Sequence, residues 1–514
     1  MARKNTPSYV IELRVLTNES NYNLLLKRLF LAEKLYNNIV CYARKQLKRM
    51  RENKRYKQLL REYIVASKKQ DKRTMKLLAE QLNLIKLSYG LTKYQLEAFA
   101  YNCNEDYHKH LDSDTRSKIS YRVSEAVDKV MYGNGKELHF KKHGTLMSLE
   151  GKKNTNGIRY KDGFFIWGKK VKIRTKFRKD DLYIQEAMLD RIKYCRIVKK
   201  PSPSGYEFYL QLIMEGEAPA KRNKDGSFRK SSFPGSVGRV GIDLGTSTIA
   251  VASDSKVILT ELAPNTKEID VQIARLSRKL DRSRRATNPD NFNEDGTVKK
   301  DTKNFKKKWA RSKNYLKTLY KIKALYAKKA RLTKQFHCHL VNTIKQLGNE
   351  FYYEKVSVEG LKRRAKKTER SEKVSIVNNK EVQKYKRKKR FGKSAQTYAP
   401  ADFINKLETK LKQRNQKLTA INLKTFRASQ YNHLNNTYKK KKLHQRHTKI
   451  GDDVIQRDLY SAFLLKNASN DLASPNRELC LQTYNDFKIL HNELMHQYRK
   501  EKQEGRKFLT CMGI

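Results

Sequence analysis

The run Val240-Gly241-Ile242-Asp243-Leu244-Gly245-Thr246-Ser247-Thr248-Ile249-Ala250-Val251-Ala252 constrains this chain more than any other. Two apolar segments meet at a short turn of small and polar residues, the pattern of a β-hairpin. Asp243 closes the first segment, flanked by two glycines, and reads as an acid pointing into a site. The chain around it is strongly basic: Lys+Arg 114 against Asp+Glu 52 gives a net charge of +62 over 514 residues. Such a surface repels itself unless polyanions neutralise it. An isolated carboxylate in such a chain points to metal-assisted chemistry on nucleic acid, with binding that weakens steeply in salt.

The rest of the composition narrows the class. Hydrophobic content of 38%, with Tyr 29 and Phe 19, supports real cores, and the length suggests more than one domain. No apolar run is long enough to span a bilayer, so no membrane partner is expected. Tyr9-Val10-Ile11-Glu12-Leu13-Arg14-Val15 alternates and carries charges, so it reads as a strand rather than a signal peptide. The six cysteines, at 41, 103, 195, 338, 480 and 511, have neither metal nor disulfide-framework spacing. A reduced, cytoplasmic, nucleoid-associated protein is the expectation.

Periodicity divides the chain into blocks. Leu25, Leu29, Ala32, Tyr36 and Val40 repeat at helical spacing, as do Met75, Leu78, Leu82 and Ile85. From about 135 the period changes: Asp162-Gly163 marks a hairpin, and Phe208, Leu210, Leu212 and Met214 alternate as a strand. The fold class expected is multidomain α+β. Residues 1–16 and 135–220 form a β-barrel-like domain carrying an inserted helical domain at 17–134. Residues 221–235 read as a linker. Residues 236–424 and 453–514 form an α/β domain, with an insert at 425–452. Within it, Ile273, Leu276, Leu280 and then Leu316, Leu319, Ile322 and Leu325 suggest long basic helices, separated by a loop from Thr287 to Asp301. Phe351 to Glu359 reads as a strand ending in an acid, followed by a basic, loop-like stretch through Arg390. A helix is expected from about Pro400 to Lys417, and another opening at Arg457-Asp458. Tyr484, Phe487, Leu490, Leu494 and Tyr498 mark a last helix, read as packing on the core rather than as a dimer face. A monomer is favoured.

Asp243, Glu359 and Asp458 come from distant parts of the chain, as residues around one pocket of an α/β fold do. Magnesium and manganese take oxygen ligands and leave room for water and a phosphate. A pair of such ions can stabilise both the attacking and the leaving oxygen of a phosphodiester. Singly, any of these acids could be an ordinary surface carboxylate.

Val240 to Ala252, Val356-Ser357-Val358-Glu359-Gly360-Leu361 and Gln456-Arg457-Asp458-Leu459-Tyr460-Ser461-Ala462-Phe463 resemble the three RuvC motifs of the TnpB proteins. These are transposon-encoded relatives of the miniature type V CRISPR nucleases. Tyr209-Leu210-Gln211-Leu212 with Glu215-Gly216, and Tyr398-Ala399-Pro400 with Phe403, look like further landmarks of that family. The resemblance implies an RNase H-like (RuvC) nuclease domain with helical and basic insertions, after a wedge-like β domain and a helical recognition domain. It implies RNA-guided cleavage of DNA, with a guide RNA, target double-stranded DNA and displaced single-stranded DNA as partners. Asp243, Glu359 and Asp458 carry over as the magnesium- or manganese-binding catalytic acids. The basic residues Lys384, Lys386, Arg387, Lys388, Lys389 and Arg390, and Lys439, Lys440, Lys441, Lys442 and Arg446, are the candidate nucleic-acid contacts.

One departure from the family is informative. Many relatives carry a zinc ribbon between the second and third motifs, opening Ser-Gln-x-Cys-x-x-Cys. Here Ser429-Gln430-Tyr431 keeps the opening, but Asn432 and Asn435 stand at the cysteine positions. With no cysteine between Cys338 and Cys480, no zinc is expected; His433, His444 and His447 read as solvent or phosphate contacts. Two rivals to cleavage are an RNA-guided DNA binder and a CRISPR effector of the same fold. A distant one is an ATPase of the actin and heat-shock type, whose first phosphate loop also resembles Gly241-Ile242-Asp243-Leu244-Gly245. That reading needs a second Gly-rich loop downstream, and none occurs.

Overall fold

The computed structural model describes residues 6–177, 180–223, 225–229, 235–264, 266–294, 296–301, 307–355, 370–377, 380–385, 391–442 and 444–514. The chain divides into two compact units, Met1–Phe228 and Arg229–Ile514.

The first unit is built on a seven-stranded sheet. Its strands are β1 (Ser8–Val15), β2 (Ser148–Glu150), β3 (Ile158–Lys161), β4 (Phe164–Trp167), β5 (Val171–Lys176), β6 (Ile192–Ser202) and β7 (Gly205–Glu215). Their order is β2-β6-β7-β1-β5-β4-β3, so β1 lies between β7 and β5, antiparallel to both. The alternation in β1 has its physical meaning here: Ile11, Leu13 and Val15 are buried while Val10, Glu12 and Arg14 face out. Asp162 and Gly163 turn the β3–β4 hairpin with φ of 49° and 83°, the left-handed pair that a two-residue turn favours.

Between β1 and β2 the chain is helical. The helix Glu19–Glu52, capped by the Asn18 side chain, leads into Lys54–Lys69, Lys72–Ser88, Lys93–Tyr101, Asp106–His110 and Ser113–Met131. Leu25, Ile39 and Val123 from these helices belong to the same continuous core as Leu13, Phe165, Trp167 and Leu210 from the sheet. The helical segment thus shares its core with the sheet instead of enclosing one of its own.

The second unit centres on a five-stranded sheet of β8 (Arg239–Leu244), β9 (Thr248–Ala252), β10 (Val257–Glu261), β11 (Glu350–Glu354) and a further strand, Leu418–Ile421. Between the last two, the chain forms a separate two-stranded hairpin, β12 (Arg370–Val377) and β13 (Lys380–Tyr385), so Leu418–Ile421 is β14. The order is β10-β9-β8-β11-β14. β9 runs antiparallel to β8 and β10, whereas β11 is parallel to both β8 and β14. Every residue of β9 is buried because both faces of the sheet are covered. On one face, Ala250, Ala252 and Leu259 pack with Leu459, Ala462 and Phe463 of the helix Arg457–Lys466. On the other, Val240, Ile242 and Val251 pack with Leu340, Ile344, Phe403 and Leu407. The helices Lys267–Thr287 and Lys313–Ile344 meet through Ile269, Ile273 and Ile322.

Several expectations are corrected. The strand expected over 351–359 is described as β11 over Glu350–Glu354, with Lys355 N–H donating to Ile421 O at 3.1 Å, and residues 356–359 lie outside the described residues. The basic stretch read as a loop contains the β12–β13 hairpin. The helix expected over 400–417 stops at Lys412, and the turn through Asn415, at φ 56°, frees the chain to enter β14. A further hairpin pairs His447–Ile450 with Asp453–Gln456. Among the described residues no helix is long and apolar enough to cross a membrane.

Candidate functional site

Gly241 explains how two distant sequence segments come together. A Cβ built at this position would fall inside 3.0 Å of Ala462 O and Lys466 N, so only glycine lets the helix Arg457–Lys466 lie directly on β8. Two residues further along β8 is Asp243; at the N-terminal end of that helix is Asp458. From the other side, Tyr353 pairs with Ile242 in the parallel β8–β11 ladder, which sets Glu354 alongside Asp243.

Electrostatics ties the three acids into one site. The Asp243 carboxyl titrates well above the usual carboxylate range, chiefly through burial and then through the negative charges of Asp458 and Glu354. Arg457 and the Ser461 hydroxyl oppose that rise. Burial alone pushes Glu354 up to about 7, and its residue is only 9% exposed. Asp458 is held by its neighbour: Arg457 Nε and Nη2 donate to Asp458 Oδ1 at 3.2 and 3.1 Å, and Nη1 donates to Gln445 O at 3.0 Å. Among the described residues no three His, Cys, Asp or Glu side chains are gathered at metal-ligand spacing, these three acids included. The donor chemistry is that of a hard divalent cation's ligands, since the acids offer only oxygen.

The structure therefore brings Asp243 and Asp458 together, and Glu359 lies outside the described residues. Glu354, which the sequence reading did not single out, is the glutamate that the described residues place alongside Asp243. It closes the strand-length apolar run Phe351-Tyr352-Tyr353.

The basic candidates divide as well. Lys384 lies on β13, and Lys386, Arg387, Lys388, Lys389 and Arg390 are outside the described residues. Lys439, Lys440 and Lys442 are exposed, and Arg446 is half-buried. Lys441 differs: it is half-buried with Nζ 5.9 Å from the Tyr460 ring, and burial together with Arg457 lowers it to about 8.

In the insert, His433 corrects an expectation. It is completely buried among Tyr460, Phe463 and Tyr484. Its backbone N–H donates to the Tyr460 hydroxyl at 3.2 Å, and its Nδ1 meets the same hydroxyl at 2.8 Å. Burial, then Arg477, lowers it to about 4, so it is a neutral core side chain and not a solvent or phosphate contact. Asn432 shapes a turn, its Oδ1 accepting from Leu434 N–H at 3.0 Å, while Asn435 Oδ1 accepts from the Thr437 side-chain hydroxyl at 2.9 Å.

Comparison with known proteins gives little further. No family model matches the chain, and no curated protein does. Solved structures do overlap it, among them the following two. One is described as the cryo-EM structure of the Cas12f1-sgRNA-target DNA complex, at 12% identity and a TM-score of 0.42, covering 90% of this chain and 99% of that one. The other is described as the cryo-EM structure of a CRISPR-Cas12f ternary complex, at 14% identity and a TM-score of 0.25, covering 89% of this chain and 99% of that one. Overlap this loose carries no argument about this chain.

Proposed function

We propose that the chain is a metal-dependent, RNA-guided DNA endonuclease of the TnpB-like kind, with Asp243, Glu354 and Asp458 as its acids. One observation carries the reading. Asp243 sits on the central strand of a β10-β9-β8-β11-β14 sheet, next in register to Glu354 and beneath the helix bearing Asp458. An antiparallel three-strand meander followed by two parallel strands is the RNase H-like topology that the sequence resemblance implies. The net charge of +62 supports a polyanionic partner, and the motif resemblance supports a guide RNA and a DNA target.

In this reading Asp243, Glu354 and Asp458 would hold magnesium or manganese. The bound ion would supply a nucleophilic water and neutralise charge developing at phosphorus. Asp243 and Glu354 give up the protons that burial makes them retain. Arg457 fixes Asp458 through two nitrogens on one oxygen, leaving its second oxygen to the site. Asp243→Ala tests the assignment: magnesium-dependent cleavage of guide-matched DNA is lost while RNA-guided DNA binding persists. Cleavage by that variant at the unsubstituted rate would overturn it.

A further inference from the structure

Glu150 closes β2 directly opposite Arg196 of β6. Arg196 Nε and Nη2 donate to Glu150 Oε2 at 3.3 and 3.0 Å. The helix Ser113–Met131 brings two more cations to the same carboxylate. Lys118 Nζ lies 3.7 Å from its Oε1, and Arg122 Nη2 lies 3.7 Å from its Oε2. One acid thus faces three cations, and its side chain is only 17% exposed. Three like charges gathered partly out of water repel one another, and a single carboxylate answers only one of them.

Other contacts hold these cations in place. Arg122 Nη1 donates to Ser148 O at 3.1 Å, and Arg196 Nη1 donates to Gln211 Oε1 at 3.3 Å. Lys118 Nζ sits 5.3 Å from the centre of the Tyr194 ring. Tyr121, next to Arg122 in the helix, has Lys93 Nζ at 3.7 Å and Lys152 Nζ at 5.7 Å from its ring centre. Among the described residues, every ion pair that these five cations make is with Glu150. Both tyrosine rings already carry a lysine, so the surface offers charge rather than open ring faces for unpaired bases.

We propose that Lys118, Arg122 and Arg196 take the phosphates of a nucleic-acid duplex, and that Glu150 competes with those phosphates from within the surface. A carboxylate and a phosphate make the same forked contact with a guanidinium, so each can replace the other. Glu150 keeps the two arginines oriented while the surface is empty, and a phosphate binds only by displacing that pair. Backbone contacts carry no sequence information, so the competition loosens sequence-independent attachment. The inference rests on the function proposed above only for its nucleic-acid partner, which the net charge of +62 supports.

The experiment measures binding of a random-sequence DNA duplex of about 20 base pairs to the full chain across a salt series, with thermal unfolding recorded alongside. Glu150→Gln keeps the shape and removes the charge. It is expected to raise affinity about fivefold at roughly 0.1 M salt and to steepen the logarithmic salt slope by about one. Glu80→Gln makes the same change at an exposed acid of the helix Lys72–Ser88 that none of these cations meets, and is expected to move affinity by less than about twofold. Lys118→Gln and Arg122→Gln are each expected to make the slope shallower by about one. Binding by Glu150→Gln no tighter than by Glu80→Gln overturns the proposal. An unchanged slope in a folded Lys118→Gln chain also overturns it, and that readout holds even if Glu150→Gln fails to fold. A chain that binds no duplex at any salt overturns both this proposal and the nucleic-acid reading. Cleavage that survives Asp243→Ala sinks the carboxylate assignment alone, since none of these binding measurements depends on it.

Discussion

Asp243 and Glu354 are pushed toward their protonated forms by burial, and a divalent cation is the partner that would reverse this. Glu354 titrates at about 7 in the folded chain against 4.5 for an ordinary glutamate. Its carboxyl thus favours the folded state below about 4.5, and that contribution is lost as pH rises through 7. Metal binding must expel the same proton. Mn2+ affinity is therefore expected to rise with pH up to about 7 and level off above it, read by calorimetry across buffers. Glu354→Gln should lower plasmid cleavage by about a hundredfold or more, the cost of a missing ligand exceeding that of its support. Glu359→Gln, with the acid at the other candidate position neutralised, is expected to cleave normally. The reverse pattern in a nicking assay would return the motif to Glu359.

His433 presents the opposite sign. Its folded value of about 4 lies below the ordinary 6.5, so its contribution is intact above 6.5 and is lost as pH falls toward 4. Tyr460→Phe would strand its buried N–H and Nδ1, a cost of about 1–3 kcal/mol visible in urea unfolding at pH 7.

At the level of elements, the close approach of the helix Arg457–Lys466 to β8 decides whether a site exists. Gly241→Ala would force backbone against backbone, since the added Cβ meets Ala462 O and Lys466 N rather than a yielding side chain. The expected loss is about 3 kcal/mol, at the upper end for overpacking, measured as a fall in the thermal midpoint. Strands and helices with clean periodicity were legible: β1 from its alternation, β8 and β9 from their apolar runs, the Glu19–Glu52 helix from its stripe. Where chemistry and pattern disagree, the reading slipped. The segment Arg370–Tyr385 is so rich in charge that it reads as a loop, yet the backbone pairs as a hairpin, because strand formation needs a partner and not an apolar face.

For the whole molecule, the charge of +62 makes one quantitative demand. If about six phosphates are contacted, affinity for nucleic acid should fall roughly 10³-fold between 50 and 200 mM salt. A filter-binding series showing a flat response would remove nucleic acid as the main partner. The buried insert histidine matters here too. Asn432 makes an Asx turn with Leu434 N–H, and the next residue, His433, packs against Tyr460.

The sequence by itself determined the strongly basic character of the chain, the hairpin around Asp243 and the helix start at Asp458, because charge and periodicity are local properties of a chain. Only the tertiary structure showed that Glu354 stands beside Asp243 and that Gly241 is the point of contact for the helix. Those are matters of register and distance between segments hundreds of residues apart, fixed by how one sheet is filled on both faces and invisible in any window of sequence.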